Sequence, residues 1–267
     1  MGDYIKVERQ GRIAILTLNH PDTMNAIAEH EDCTDLVDAL ESLNADESVS
    51  VAILTGAGRA FSAGGNLQSM KDRTGIGPLA SALGTRNNYR RGVQRISRAF
   101  YDCEVPLIAA VNGFAIGLGN DLACFCDMRI AAEGAKFAAG FIKMGLIPGD
   151  GGAWALPRAV GYARAAEMLF TGDTLSAQQA LEFGLVSRVV PAEGLMEEAL
   201  ALATRVAANP PRSLRVAKRL LIDSQAMRLN EVLEMSAALQ ALVHETPDHH
   251  EAIDAFLKKR SPIFTGD

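Results

Sequence analysis

Twice along this chain an apolar run of strand character ends in a segment crowded with glycine, and that repeat restricts the fold more than any other feature. Val49 to Thr55 leads into Gly56-Ala-Gly-Arg-Ala-Phe-Ser-Ala-Gly-Gly65, and Pro106 to Val111 leads into Asn112-Gly-Phe-Ala-Ile-Gly-Leu-Gly-Asn120. Each segment reads as a loop at the carboxyl end of a strand, where α/β proteins place their ligands. A short helix is expected to run from the second loop into Cys126. Glycine is also the default residue for tight turns, so the loops alone leave binding undecided.

Around these loops the periodicity alternates between two and 3.6. Arg12 to Leu18 alternates as a strand, with a hairpin partner at Tyr4 to Glu8, and Asn19-His-Pro-Asp22 ends it with turn chemistry. Leu36, Val37, Leu40 and Leu43 recur at helical spacing between Glu29 and Leu43. Met128 to Ala132 and Leu185 to Val190 read as further strands, with helices at Gly161 to Phe170 and Ser176 to Phe183 and a turn at Thr171-Gly-Asp173. Beyond Pro191 every periodic segment is helical: Leu195 to Ala208, Pro211 to Leu221, Leu229 to Val243 and His249 to Lys259. The expected organisation is therefore a mixed α/β core over residues 1–190 and a helical region over 191–267. Helices with so much apolar surface need a cover, and self-association would supply one.

Charge and composition exclude several classes of function. A net charge of −6 gives no general attraction for phosphate backbones. The cluster Arg86, Arg90, Arg91, Arg95 and Arg98 is spaced as a solvated helical face. Cys33, Cys103, Cys124 and Cys126 lack zinc-site pairing, and the five histidines form no H-E-x-x-H pattern, so no metal is expected. The charged N-terminus MGDYIKVERQ is unlike a signal peptide, and no run of about 18 apolar residues appears. The expectation is a soluble cytoplasmic protein with neither nucleic-acid nor membrane partner.

Two nucleotide fingerprints fail on inspection. G-x-G-x-x-G would need glycine where Leu122 stands, and no Walker lysine follows either loop. Ala60-Phe-Ser62-Ala-Gly64 approaches the G-x-S-x-G nucleophile elbow, which makes a serine hydrolase the competing enzyme class. That reading has alanine at the first glycine position and only His244, His249 and His250 downstream to act as base.

Phe61-Ser-Ala-Gly-Gly-Asn-Leu67 resembles the F-S-A-G-x-D-L segment of the crotonase superfamily, the enoyl-CoA hydratase/isomerase family. Val111-Asn-Gly-Phe-Ala-Ile-Gly-Leu-Gly-Asn-Asp-Leu-Ala123 resembles its N-G-x-A-x-G-x-G-x-E/D-L-A segment. Asn19-His-Pro with Asn25-Ala26, Gly145-Leu-Ile-Pro-Gly149, Ala180 to Val186 and Phe256-Leu-Lys-Lys-Arg260 follow in the family's order from about residue 4 to 260. The resemblance implies a crotonase-like spiral of ββα repeats with a helical C-terminal trimerisation region, assembled as a homotrimer or homohexamer. It implies an acyl-CoA thioester substrate whose carbonyl oxygen lies between the N–H groups of Gly65 and Leu118, with no cofactor beyond the coenzyme A of the substrate itself. Coenzyme A would contact Met24, Ala26, Ala63, Gly65, Asn66 and Leu67, and a neighbouring subunit would bring Phe256 and Lys259 to the nucleotide.

In the family's hydratases two glutamates flank the substrate double bond. Asp121 stands at the first position and Phe141 at the second. Phenylalanine can neither activate water nor protonate carbon, and general acid–base groups are worth on the order of 100 to 10,000-fold each. Three expectations follow: Asp121 alone moves a proton, as in a double-bond isomerase; another carboxylate, with Asp150 in Pro148-Gly-Asp-Gly-Gly152 the nearest, acts as second acid; or the chain is a noncatalytic acyl-CoA-binding homologue. Asp150 can equally be a turn or helix-cap residue. Hydratase is the family's commonest activity, and isomerase fits a single acid better.

Overall fold

The computed structural model describes residues 2–266. In chain order its strands are β1 (Ile5–Gln10), β2 (Ile13–Leu18), β3 (Val51–Gly56), β4 (Ala60–Ser62), β5 (Leu107–Val111), β6 (Phe114–Ile116), β7 (Met128–Ala132), β8 (Lys136–Ala138), β9 (Leu175–Ser176) and β10 (Arg188–Val190). The helices of the first two-thirds are α1 (His30–Ala45), α2 (Leu67–Asp72), α3 (Ala82–Arg91), α4 (Val93–Asp102), α5 (Leu118–Phe125), α6 (Gly152–Val160), α7 (Tyr162–Thr171) and α8 (Ala177–Glu182). The last third holds α9 (Leu195–Ala207), α10 (Pro211–Ser224), α11 (Leu229–His244) and α12 (Pro247–Leu257).

Two sheets result, with strand orders β1-β2-β3-β5-β7-β10 and β4-β6-β8-β9. Three successive passes share one plan: a long strand of the first sheet (β3, β5, β7), a short strand of the second (β4, β6, β8), then helix. Within each sheet the strands of successive passes run parallel. This is the spiral of ββα turns. The sequence reading treated 56–65 and 112–120 wholly as loops, and in this it is corrected: each contains a three-residue strand of the second sheet. Three residues are too few to show a period of two, so the glycines dominate the pattern there.

The long strands are buried on both faces, as parallel strands usually are. In β3, Ala52 and Leu54 face the core between the sheets, whereas Val51 and Ile53 face the other side. That second face is closed by α9 through Leu195, Ala199, Leu202 and Ala203. Burying Leu195 and Leu202 there is worth about 1.5–3 kcal/mol each. The all-helical stretch therefore begins with a helix that packs on the sheet.

The remaining helices attach differently. The Arg215 guanidinium of α10 donates to the carbonyls of Leu43, Asn44, Asp46 and Val49. Buried Lys218 donates to the Val105 carbonyl at 2.9 Å and pairs with Asp127 at 2.9 Å. α11 has no buried residue, and Leu229, Leu233 and Leu242 on it are exposed. The arginine cluster read as one helical face is divided: α3 ends and α4 begins at Gly92, so Arg86, Arg90 and Arg91 lie on one helix and Arg95 and Arg98 on the next. Among the described residues no helix is long and apolar enough to cross a membrane.

Candidate active site

The first glycine segment is held by a residue outside it. Met24 and Asn25 take left-handed backbone angles, with φ of 55° and 56°. Buried Asn25 donates its side-chain amide to the carbonyls of Ala57 (2.9 Å), Ala60 (2.9 Å) and Phe61 (3.2 Å), and its oxygen accepts from His20 N–H. Ala63 N–H donates to the Met24 carbonyl at 2.9 Å. Three hydrogen bonds from one side chain, itself held by a fourth from His20, thus fix where the loop turns.

Ile27 then pairs in parallel with Gly65: Ile27 N–H donates to the Gly64 carbonyl, and Asn66 N–H to the Ile27 carbonyl. In such a pairing the N–H of the middle residue points to the opposite side, so Gly65 N–H faces away from Ile27. In the second segment Gly117, with φ 54°, caps α5 and Leu118 is its first residue. The Leu118 N–H has no carbonyl one turn behind it to bond.

The two segments touch backbone to backbone. Gly64 has φ 85°, and a Cβ there would overlap the Ile116 carbonyl oxygen and lie 3.1 Å from Leu118 N. A Cβ on Gly119 would overlap the Ser62 carbonyl. With glycine at both points, Gly65 and Leu118 come to line one cavity of about 40 Å³, together with Met70, Ile76, Tyr89, Val93, Phe141, Leu146, Ile147, Gly149 and Asp150. The Phe141 ring lies over Gly117, 3.6 Å from where a Cβ would stand. A larger hollow of about 710 Å³ lies between α10 and the core and contains neither glycine segment.

Asp121 and Asp150 meet beside this cavity. Their carboxyl groups are close enough to hydrogen-bond each other, the Asp121 carboxyl packs against Gly152 at the start of α6, and the Asn120 amide donates to Asp121 at 3.5 Å. Burial pushes the Asp121 carboxyl well above the ordinary carboxylate range, and the Asp150 charge pushes it further. Burial also raises Asp150, opposed by the hydrogen bonds from Asp121 and the Gly152 N–H. Two carboxyls so placed resist ionising together, so the pair holds its last proton to higher pH than an isolated carboxyl would. Tyr89 is raised by burial and then by the Asp150 charge, so its phenol also faces this group.

The sequence-based candidates separate in the folded chain. Gly65, Leu118, Phe141 and Asp150 share the cavity wall, while Asp121, 1% exposed, sits behind it. Met24, Ala26 and Ala63 lie along the edge that carries Gly65. Asn66 caps α2, its side chain accepting from Ser69 N–H at 3.0 Å, and Leu67 beside it is exposed. Phe256, 83% exposed, and Lys259 lie on and just beyond α12 and do not line the cavity. Ser62 is fully buried, donates to the Asn25 carbonyl at 2.8 Å and accepts from Gly64 N–H at 3.1 Å. Its hydroxyl closes a turn, and its hydrogen-bond partners are backbone groups, whereas His244, His249 and His250 lie on α11 and α12; the serine–histidine contact that a hydrolase needs is not formed among the described residues.

Sequence reasoning missed Tyr89 and the pinning role of Asn25. Asn25 carried a signal, since it belongs to the Asn19-to-Ala26 match, but nothing in the spacing of α3 marks Tyr89 as facing a cavity.

The family described as enoyl-CoA hydratase/isomerase matches residues 8–267. The chain is 41% identical over 260 residues to 2,3-dehydroadipyl-CoA hydratase of Escherichia coli, covering 97% of this chain and 98% of that one. It is 36% identical over 266 residues to 1,2-epoxyphenylacetyl-CoA isomerase of the same organism, covering 100% of both. Among solved structures, the enoyl-CoA hydratase from Bacillus anthracis superposes with a TM-score of 0.91 at 33% identity, over 99% of this chain and 100% of that one.

Proposed function

The chain belongs to the enoyl-CoA hydratase/isomerase family and is an acyl-CoA enzyme, and from that premise we propose that it forms and reprotonates the enolate of an unsaturated acyl-CoA thioester. In this reading the thioester oxygen sits between the N–H groups of Gly65 and Leu118, which form an oxyanion hole. Backbone donors suit the task because they do not titrate and need no reorganisation; removing one such donor costs on the order of 100 to 1,000-fold in rate. Coenzyme A runs along the edge formed by Met24, Ala26, Ala63, Asn66 and Leu67. No cofactor is needed, because the thioester itself makes the α-carbon acidic once its oxygen is held.

The proton is moved by the carboxyl pair that Asp121 forms with Asp150. The observation that carries this reading is the combination of that pair with Phe141: the cavity has one proton-sharing acid site and a phenyl ring where the second acid of a hydratase would stand. One acid site supports relocation of a double bond by taking a proton from one carbon and returning it to another. Addition of water to Cβ is the second reading, favoured by the 41% identity to a hydratase.

Incubation with vinylacetyl-CoA and with crotonyl-CoA in deuterated buffer separates the two. Migration of the double bond of vinylacetyl-CoA is the expected result. Loss of conjugation in crotonyl-CoA without migration of vinylacetyl-CoA would establish hydration, and neither reaction on these or longer enoyl esters would reject catalysis.

The exposed apolar residues of α11 and α12, among them Leu229, Leu233, Leu242 and Phe256, support self-association of the region 191–267 into a trimer or a pair of trimers. A neighbour's Phe256 and Lys259 would then reach the nucleotide. We place the enzyme in the cytoplasm, with neither membrane nor nucleic acid as partner.

A further inference from the structure

We propose that Asp150 is the catalytic base and that Asp121 is a neutral acid behind it, a positioning residue that donates its proton to the Asp150 carboxylate. This divides the roles within the pair and rests on the acyl-CoA reading above.

The division starts from access. Asp150 lines the cavity with Gly65 and Leu118, and Asp121 does not. A charge on Asp150 meets the cavity and whatever fills it, whereas a charge on Asp121 would be sealed within α5. Desolvation therefore assigns the negative charge to Asp150 and the proton to Asp121.

Hydrogen-bond accounting leads to the same place independently. Asp121 Oδ2 and Asp150 Oδ1 are both buried, and no N–H or hydroxyl of the described residues donates to either. Buried polar atoms are rarely left so. A proton carried by Asp121 and given to Asp150 satisfies both.

The backbone that carries Asp150 is fixed. Gln94 donates to the Gly149 carbonyl at 2.9 Å, and the Ser97 hydroxyl to the Asp150 carbonyl. Gly151 has φ 113°, and a Cβ there would stand 2.8 Å from the Phe125 ring. The groups that face the pair are the Tyr89 phenol from α3, Asn120 and the Cys124 thiol from α5, and Gly152 N–H from α6. Among the described residues no lysine, arginine or histidine lines the cavity, so hydrogen-bond donors offset the Asp150 charge.

The step balances without a co-reactant. An Asp150 oxygen takes a proton from Cα of the β,γ-enoyl thioester, and the C–H electron pair moves to the carbonyl oxygen as an enolate conjugated with the Cβ–Cγ double bond. The N–H groups of Gly65 and Leu118 hold that oxygen. The same proton then passes from Asp150 to Cγ as the enolate collapses to the carbonyl: the double bond moves from Cβ–Cγ to Cα–Cβ, in conjugation with the carbonyl, and the carboxylate is restored. Asp121 keeps its own proton throughout.

The test compares Asp150→Asn, Asp121→Asn and Asp121→Leu on vinylacetyl-CoA, with thermal unfolding and butyryl-CoA binding as checks on folding. Asp150→Asn should lose about 100-fold or more in kcat while binding butyryl-CoA normally. Asp121→Asn, whose amide can still donate, should stay within about tenfold of the parent. Asp121→Leu should fall further and move the acid limb of the pH profile upward, because Asp150 loses the donor that favours its charged form. A loss from Asp121→Asn equal to that from Asp150→Asn, or full activity in Asp150→Asn, overturns the assignment.

A second readout needs no turnover. Infrared spectra at neutral pH should contain a buried carboxylic-acid band in the parent and in Asp150→Asn that is missing in Asp121→Asn. Its absence from the parent, or its loss in Asp150→Asn instead, overturns the proposal. If the parent leaves vinylacetyl-CoA unchanged while the band behaves as expected, the enolate reading fails and the proton assignment stands.

Discussion

Replacing Gly64 by alanine tests whether the contact between the two glycine segments builds the thioester site. The residue has φ 85°, and its added methyl would overlap the Ile116 carbonyl oxygen and press within 3.1 Å of Leu118 N. Left-handed backbone costs a non-glycine residue about 1–2 kcal/mol. The overlap is with main chain, which no rotamer change relieves, and overpacking of this kind costs about 1–3 kcal/mol. The sum is a loss of about 2–5 kcal/mol, and relief can come only by moving β6 and the start of α5 away from Gly65. That movement displaces one of two N–H donors, so kcat on vinylacetyl-CoA should drop about 100-fold or more. Gly11→Ala is the control: its φ is 58° and no atom lies within 4 Å of the new methyl. It should cost only the backbone strain and leave the rate alone. Urea unfolding and initial rates on both variants decide the matter. The reasoning fails if Gly64→Ala is no less stable than Gly11→Ala, or if it is destabilised yet keeps its rate within about threefold.

Four further outcomes are expected. The raised Asp121 carboxyl makes the folded state hold a proton that the unfolded state releases, so its contribution is full below the ordinary carboxylate pKa and is lost as pH rises towards the folded value. The stability of the parent relative to Asp121→Asn, measured by urea unfolding, should therefore fall by up to about 1.4 kcal/mol per pH unit above pH of about 4. Lys218→Met leaves Asp127 and the Val105 carbonyl without their cation; because Asp127 is partly exposed, the loss in urea unfolding should be about 2–3 kcal/mol, below the full value for a buried pair. Adipoyl-CoA, with its terminal carboxylate, should bind at least about tenfold more weakly than butyryl-CoA by calorimetry, since Asp150 is the sole charged residue in the cavity wall. Light scattering should report an assembly larger than one chain, and Leu233→Asp on the exposed face of α11 should reduce its mass.

Long elements were legible in the sequence because each displays several periods. The alternation of Arg12 to Leu18 became β2, and the spacing of Leu36, Val37, Leu40 and Leu43 became the buried face of α1. The second sheet was not legible, because β4, β6 and β8 have three residues each and β9 has two. The break at Gly92 that divides the arginine-bearing face between α3 and α4 was not legible for another reason: α3 is so polar that Asn88 is its one buried residue, so no apolar stripe marks where it ends. At the site, motif and position singled out Gly65, Leu118 and Asp121, since glycine segments and a following acid are local features. That Asp150 lies in front of Asp121 depends on α6 packing on α5 across about thirty residues of chain, and no local pattern encodes it.

The spiral has a consequence for how such a site can change. Each pass delivers something to the same small volume: the first a Gly65 N–H, the second a Leu118 N–H, the third the Phe141 ring and, a few residues on, the Asp150 carboxyl. Because the passes are stacked and independently wound, the chemical inventory of the cavity is modular. An acid missing from one bend of the chain can be supplied from the next bend without altering the frame that positions Gly65 and Leu118. The position of a carboxylate along the sequence is thus a poor guide to activity in this architecture, whereas its position around the cavity is a good one.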